Sequence, residues 1–369
     1  MKFTINRKNL LEGVSKCNSV ASRTTDVLIL KNILLRTLDG GKLMLTASSR
    51  SVGLIAEYEA EIIEHGSVTI HPRKLMELLQ EIQGDIVLVE SNENCRVKIS
   101  SGAVFYNLYG LSAEDYPKVV SALDKADFHE MKSELLAEMI ARTSHAMSRD
   151  ESRINMNGVF IETLPGDRII RTVATDGHRL AYADIESDIP FPLEKGIIIP
   201  RDGVSEIRKA VGKVTGNIMV GFSMNRLIVK ARDIVLWVSA VDAQYPDYRR
   251  VIPSNGGTEV KVNRSVILQS LRRMDVVSSE RYNAVVIQVT PGKMLLKSAN
   301  PDVGEAEDEI EASCDKEASA SFNVKYLIDA IDAAEGETVA LCIRSNRTPA
   351  SIKPCETDNA LYVIMPLAK

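Results

Sequence analysis

Aromatic side chains are scarce: they make up 5% of the 369 residues, with a single tryptophan. Single-stranded nucleic acid is usually held by stacking bases on aromatic rings, so this composition argues against that mode of recognition. Cysteine is scarce too. Cys17, Cys95, Cys314, Cys342 and Cys355 include no CxxC pair. An odd, scattered set fits reduced packing thiols, not a disulfide framework or a zinc site. No apolar run reaches the roughly 18 residues that a membrane helix needs. The opening MKFTINRKNLL lacks the apolar core of a secretion signal, which predicts a cytoplasmic location. Positive charge is not in excess either: 45 Lys and Arg face 50 Asp and Glu, for a net charge of −5. Such a balance does not by itself suggest a nucleic-acid binder. With 45% hydrophobic and 26% charged residues the chain is of the folded type, and its length predicts two or three domains.

The motifs of common chemistries are missing as well. There is no G-x-x-x-x-G-K-[ST] loop for nucleotide phosphates, no HExxH and no GxSxG elbow. His65, His71, His129, His145 and His178 have no metal-ligand spacing. One constellation could serve acid–base chemistry: Asp176 and His178 in the run Thr175–His178. A turn needs Asp and Gly for backbone reasons alone, and the same run fits a turn after a strand. The acidic stretch Gly304–Glu309 reads as a solvated strand edge or loop, with a metal site as the alternative.

What is present is a weak threefold repeat, with a period of roughly 120–130 residues. A short apolar strand, a turn and an amphipathic helix recur as SVTIHPRKLMELLQEI, GIIIPRDGVSEIRKAV and SFNVKYLIDAI, aligning Pro72, Pro200 and Val324. Pro suits a first helical turn because its missing N–H would be unpaired there. A second unit opens each repeat as FTINRKNLLEGV, FHEMKSELLAEM and VKVNRSVILQSL. A strand followed by a polar turn recurs as LMLTASSRS, RTVATDGHR and LLKSANPDV. The first two repeats close alike, on Tyr116-Pro117 and Tyr245-Pro246. Alternation in KLMLTA, NRLIVKA and KMLLKSA marks half-buried antiparallel strands. The expected architecture is therefore α+β, in three like domains over 1–125, 126–254 and 255–369.

Helices are expected over 6–20, 72–83, 132–149, 200–213, 263–274 and 323–334. Together they carry more basic than acidic residues, while the remainder of the chain is strongly acidic. If the helices share a face, that face attracts phosphates without reading sequence.

The runs ATDGHRLA at 174–181, YPDYRRVIP at 245–253 and YVIMPL at 362–367 resemble the bacterial sliding clamps, the β subunits of DNA polymerase III. The resemblance spans the chain, in motif order and in length. It implies three domains of the DNA-clamp fold, each with two inner helices and an outer antiparallel sheet, and a head-to-tail homodimeric ring around duplex DNA. It implies a processivity factor, not an enzyme, that uses neither cofactor nor metal and does not engage membranes. Its implied partners are double-stranded DNA, a second copy, the replicative polymerase alpha subunit, the clamp loader, other DNA polymerases, ligase and mismatch-repair proteins.

The resemblance also implies sites. A peptide-binding cleft would comprise Met156, Thr175, Gly177, His178, Leu180, Pro246, Arg250 and Val251, with Val363, Met365, Pro366 and Leu367 from the tail. Leu180, Val251, Val363 and Met365 would form its apolar floor. DNA contacts would come from Arg23, Arg149, Arg153 and Arg201, with Lys8, Lys16, Arg73, Arg142, Arg208, Lys209 and Arg272 as helix candidates. The subunit interface would set Tyr106 and Leu108 against Val276 and Val277 of the other copy, apolar residues of strand edges. Departures from the family pattern are Met156 where Leu is common, and Ala368 before Lys369 where Arg often follows the tail. The readings from other classes are a hydrolase using Asp176 and His178, and a three-domain scaffold with no DNA role.

Overall fold

The computed structural model describes residues 1–21, 26–117, 126–164, 168–187, 193, 195–212, 214–253, 256–278 and 283–367. The chain forms two compact units, one from Met1–Leu136 and Asp202–Ala240, the other from Ala137–Arg201 and Val241–Lys369.

The first unit holds two antiparallel sheets. One runs β5 (Glu61–Glu64), β1 (Lys2–Asn6), β7 (Ile86–Ser91), β8 (Arg96–Ser101) and β9 (Val104–Tyr109). The other runs β10 (Asp127–Lys132), β15 (Asn217–Ser223), β16 (Arg226–Ala231), β17 (Ile234–Ser239), β4 (Val52–Glu59), β3 (Lys42–Ser48), β2 (Ile33–Leu38) and β6 (Ser67–Ile70). Its middle is a joint between repeats: β17 of the second pairs with β4 of the first, Leu236 opposite Leu54 and Trp237 opposite Gly53. Helix α1 (Arg7–Val20) packs on α2 (Pro72–Glu81), β3 and β4, burying Leu10, Val14 and Cys17.

The second unit repeats the device. Its larger sheet runs β14 (Ile197–Pro200), β11 (Gly158–Thr163), β12 (Ile169–Thr175), β13 (Arg179–Glu186), β25 (Ala360–Ile364), β24 (Ala350–Pro354), β23 (Thr338–Ile343) and β18 (Thr258–Asn263). Here β13 of the second repeat pairs with β25 of the third, with Leu180 opposite Val363. The smaller sheet runs β21 (Gly304–Ala312), β20 (Gly292–Asn300), β19 (Ala284–Thr290) and β22 (Ala318–Asn323). The acidic run at 304–309 lies in β21, an edge strand, where Lys293 and Lys297 of β20 pair with Glu309 and Glu307. The middle repeat is thus divided between the units, because each of its two sheet segments continues the sheet of a neighbour.

The helix starts follow from local chemistry. Asn6, Asn263 and Asn323 each end a strand and turn a side-chain oxygen to free backbone N–H groups of the first turn. They accept from Lys8, from Val266, and from Lys325 and Tyr326, opening α1, α5 (Arg264–Val277) and α6 (Val324–Ala333). Pro72 opens α2. Pro200 instead ends β14, and α4 (Arg201–Val211) starts one residue later. Helix α3 (Ser133–Thr143) stops short of the expected end and passes into a 3-10 turn at Ser144–Ala146, so Arg149 is not helical. Helix α5 runs past the expected end, to Val277. Of the five free cysteines only Cys17 is buried packing. Among the described residues no helix is long and apolar enough to cross a membrane.

Trp237 shows how tightly the first joint is packed. Its indole fills the space above Gly53, where a Cβ would lie 1.7 Å from the ring. Gly53→Ala should therefore lower the stability by about 1–3 kcal/mol through overpacking. Urea unfolding followed by tryptophan fluorescence measures this, and an unchanged midpoint would mean that the ring has room to move.

Candidate functional site

The motifs of the second repeat and the tail meet on one face of the larger sheet in the second unit. Strand alternation puts Phe160, Val173, Leu180 and Val363 on that face. The segment Val241–Ile252 lies across it. Tyr245 stacks on Phe160 with ring centroids 4.7 Å apart and donates its hydroxyl to the Val173 carbonyl at 3.3 Å. Tyr248, Ile198, Leu180 and Val363 complete a buried cluster. Burial pushes the phenols of Tyr245 and Tyr248 up, the latter to about 12.

This arrangement corrects the expected floor. Leu180 and Val363 are each 3% exposed and support the site from beneath. The apolar surface offered outward is Val251, 51% exposed, and Met365, 42% exposed. Pro246, Pro366 and Leu367 are half-buried beside them, as is Met156 on the strand entry before β11. Arg250 is exposed and pairs with Asp247 at 2.8 Å. The tail is strapped at two points: Met365 donates its N–H to the His178 carbonyl at 2.9 Å, and Leu367 donates to Ser321 at 2.8 Å. Ala368 and Lys369 lie outside the described residues.

The turn at 175–179 is held by its own side chains. Thr175 Oγ1 donates to the Arg179 carbonyl at 2.7 Å and accepts from Gly177 at 3.1 Å. Asp176 Oδ1 accepts from the N–H groups of His178 and Arg179, and Oδ2 accepts from Arg179 Nε at 3.1 Å. Gly177 has φ +88°, a left-handed conformation suited to glycine. His178 is exposed, and its Nδ1 stands 3.9 Å from Asp176, beyond hydrogen-bond reach. Asp176 thus secures the turn and makes no hydrogen bond to the His178 imidazole, so the geometry does not favour the hydrolase reading.

Sequence reasoning passed over Arg179. Its guanidinium donates to Asp329 at 2.6 Å and to the His145 carbonyl at 2.5 Å, and lies over the Tyr326 ring at 4.3 Å. It thereby ties the turn to α6. Burial and the Arg179 charge push the His145 imidazole down to about 3. The turn also borders a polar cavity of about 680 Å³, lined in part by Arg149, Arg153, Asn323 and Tyr326.

The predicted cations separate into two groups. Arg142 is a correction: it is 4% exposed and its guanidinium is paired with both Glu138 and Glu335, so its charge is not offered to a ligand. Lys16 is engaged inward as well, 2.9 Å from both Glu12 and Asp233 and 3.1 Å from the Tyr58 hydroxyl. Arg201 is half-buried and donates to the carbonyls of Met147 and Ser148 at 2.9 and 2.8 Å. Burial, Arg149 and Arg179 push it down. By contrast Lys8, Arg73, Arg149, Arg153, Arg208, Lys209 and Arg272 are exposed. Acids accompany several of these: Glu77 beside Arg73 and Asp332 beside Arg272 at the surface, and the buried Glu206 beside Lys209. Arg23 lies outside the described residues.

Of the interface residues, Tyr106 and Leu108 lie on the edge strand β9, half-buried opposite Ile99 and Val97. The neighbours that sequence reasoning missed are more exposed: Phe105 at 60% and Tyr109 at 82%, beneath the Lys98 and Arg96 cations respectively. Val276 and Val277 are not strand residues. They form the last turn of α5, where Val276 is 80% exposed.

The comparisons agree with this architecture. Models of the DNA polymerase III beta subunit match in order: the N-terminal domain over 1–120, the central domain over 130–247 and the C-terminal domain over 249–368. The chain belongs to the DNA polymerase III beta subunit family. It is 28% identical to a beta sliding clamp of Pseudomonas aeruginosa, with both chains covered completely. It superposes on the clamp of that organism bound to griselimycin with a TM-score of 0.92 at 27% identity, covering 100% of each chain. On the Bacillus subtilis DNA polymerase sliding clamp the TM-score is 0.95 at 25% identity, covering 100% of this chain and 99% of that one. The fold is therefore the three-domain clamp fold, and the family is one of polymerase accessory subunits.

The burial of Arg142 separates stability from DNA contact. Arg142→Ala removes a buried side chain and leaves Glu138 and Glu335, both partly exposed, without their shared cation, and should destabilise the chain by about 1–3 kcal/mol. Thermal and urea unfolding measure this. A variant as stable as the wild type would mean that the guanidinium is not the partner of Glu138 and Glu335.

Proposed function

We propose that this chain is a sliding clamp whose two functions reside in different parts of the molecule. Two copies, each of three repeats bounded as 1–125, 126–254 and 255–369, close head-to-tail into a ring around duplex DNA in the cytoplasm. The exposed cations Lys8, Arg73, Arg149, Arg153, Arg208, Lys209 and Arg272 meet phosphates, which hold DNA without fixing register. The chain performs no chemistry. It keeps the replicative polymerase on its template by enclosing that template, and a separate loader opens the ring.

The second function is docking. The observation that carries it is the pair of outward apolar side chains, Val251 and Met365, above the buried support of Leu180 and Val363. Such a surface suits a short peptide with adjacent apolar side chains, and Met365 adapts to different occupants. Arg250 is placed to hold a peptide carbonyl or carboxylate. The polymerase alpha subunit, clamp loader, other polymerases, ligase and mismatch-repair proteins would use this one cleft in turn. The edge strand β9, with Phe105 and Tyr109, supports subunit closure against α5 and Val276 of a second copy.

Topological binding makes a specific prediction. Once loaded by a clamp loader, the protein should stay on nicked circular DNA through gel filtration in high salt and leave when the circle is linearised. Equal retention on both forms would contradict enclosure. For docking, Met365→Ala with Leu367→Ala should abolish binding of a fluorescein-labelled pentapeptide ending in two apolar residues, measured by anisotropy, and leave the dimer intact. Unchanged affinity would remove the cleft assignment.

A further inference from the structure

A line of charged side chains crosses the sheet beside the proposed cleft. Glu162 on β11 stands opposite Arg171 on β12, and Arg171 stands opposite Asp184 on β13. Arg171 binds Asp184 with both arms of its guanidinium, each at 2.6 Å, and lies over the Tyr182 ring at 4.3 Å. Glu162 is 6% exposed. Its partners come from the segment above: the Tyr248 hydroxyl donates to it at 2.5 Å and Arg249 Nη2 at 2.7 Å. Arg171 Nη1 also reaches the Tyr248 hydroxyl, at 3.5 Å.

Tyr248 and Arg249 belong to the four-residue 3-10 turn Tyr248–Val251, whose other two residues are the cleft residues Arg250 and Val251. This turn has little strength of its own. It carries no side-chain cap, and its Arg250 N–H reaches Asp247 only at 3.3 Å. A single 3-10 turn is a poor conformational anchor. Its first two residues are fastened to the sheet through one carboxylate, and its last two face outward, with Val251 51% exposed. A buried carboxylate is costly to desolvate, and apolar residues of like size often serve stability as well. What the carboxylate supplies here is a directional hold on two consecutive residues.

We propose that Glu162 is a positioning residue of the peptide cleft: through Tyr248 and Arg249 it sets the turn that presents Arg250 and Val251 to the bound peptide. The proposal rests on the cleft reading given above. Glu162 touches no ligand in it. Arg171, held by Asp184, reaches the same hydroxyl, so the positioning unit spans three strands and the turn.

The test uses the full chain and the same labelled pentapeptide. Glu162→Ala should weaken binding about tenfold, and Glu162→Gln, which keeps an acceptor, only about two- to threefold. With Arg250→Ala and Val251→Ala already present, Glu162→Ala should cost less than about twofold more, because what it positions is gone. General loosening of the fold would instead add its full effect in both backgrounds, and full additivity would overturn the proposal. Tyr248→Phe should match the Glu162→Gln loss and keeps the test available should Glu162→Ala fail to fold. Unchanged affinity in both conservative variants would overturn the positioning role and leave the cleft in place. Loss of the cleft reading has a different signature: wild-type affinity retained by the Met365→Ala, Leu367→Ala double variant.

Discussion

Backbone pairing between repeats is the constraint on which the rest of the molecule depends. A strand edge exposes unpaired N–H and C=O groups, and a protein must cover, pair or charge it. Here two edges are closed by the neighbouring repeat: β4 takes β17, and β13 takes β25. The first joint is sealed by Trp237 over Gly53. The second sets Leu180 against Val363 and thereby brings the 174–181 motif beside the C-terminal tail. The proposed cleft is thus a product of strand pairing: no single repeat holds all of its residues.

The same constraint makes β9 informative. It ends its sheet with Phe105 and Tyr109 exposed under Lys98 and Arg96. At the opposite end of the chain β21 ends another sheet, and its acids are matched in part by Lys293 and Lys297. An aromatic edge of this kind in a free chain invites association, and closure with a second copy is the form of association that ends without polymerising.

Much of this was legible in the sequence because local chemistry decided it. Asn before a helical run opens a helix wherever its side chain can reach the free N–H groups, and the three Asn caps lie where the repeat units align. The turn at Thr175–Arg179 was legible for the same reason. What escaped was decided by distant partners. Arg142 reads as a surface cation on α3, yet it is buried and paired with Glu335, far along the chain. Leu180 and Val363 read as ligand-facing until Tyr245 and Tyr248 cover them. Glu162 and Arg171 look like ordinary strand charges, since nothing nearby in sequence announces that Tyr248 and Arg249 will descend on them. Val276 and Val277 lie beyond the helix end expected at 274. Packing of α5 on α6, β20 and β21 carries the helix through them.

The central claim is that the pairing seen within the chain is completed between chains. The direct measurement is solution mass by light scattering at low micromolar concentration and moderate salt. The account predicts a species of twice 40.6 kDa. A mass of 40.6 kDa that persists as the protein concentration is raised would contradict it.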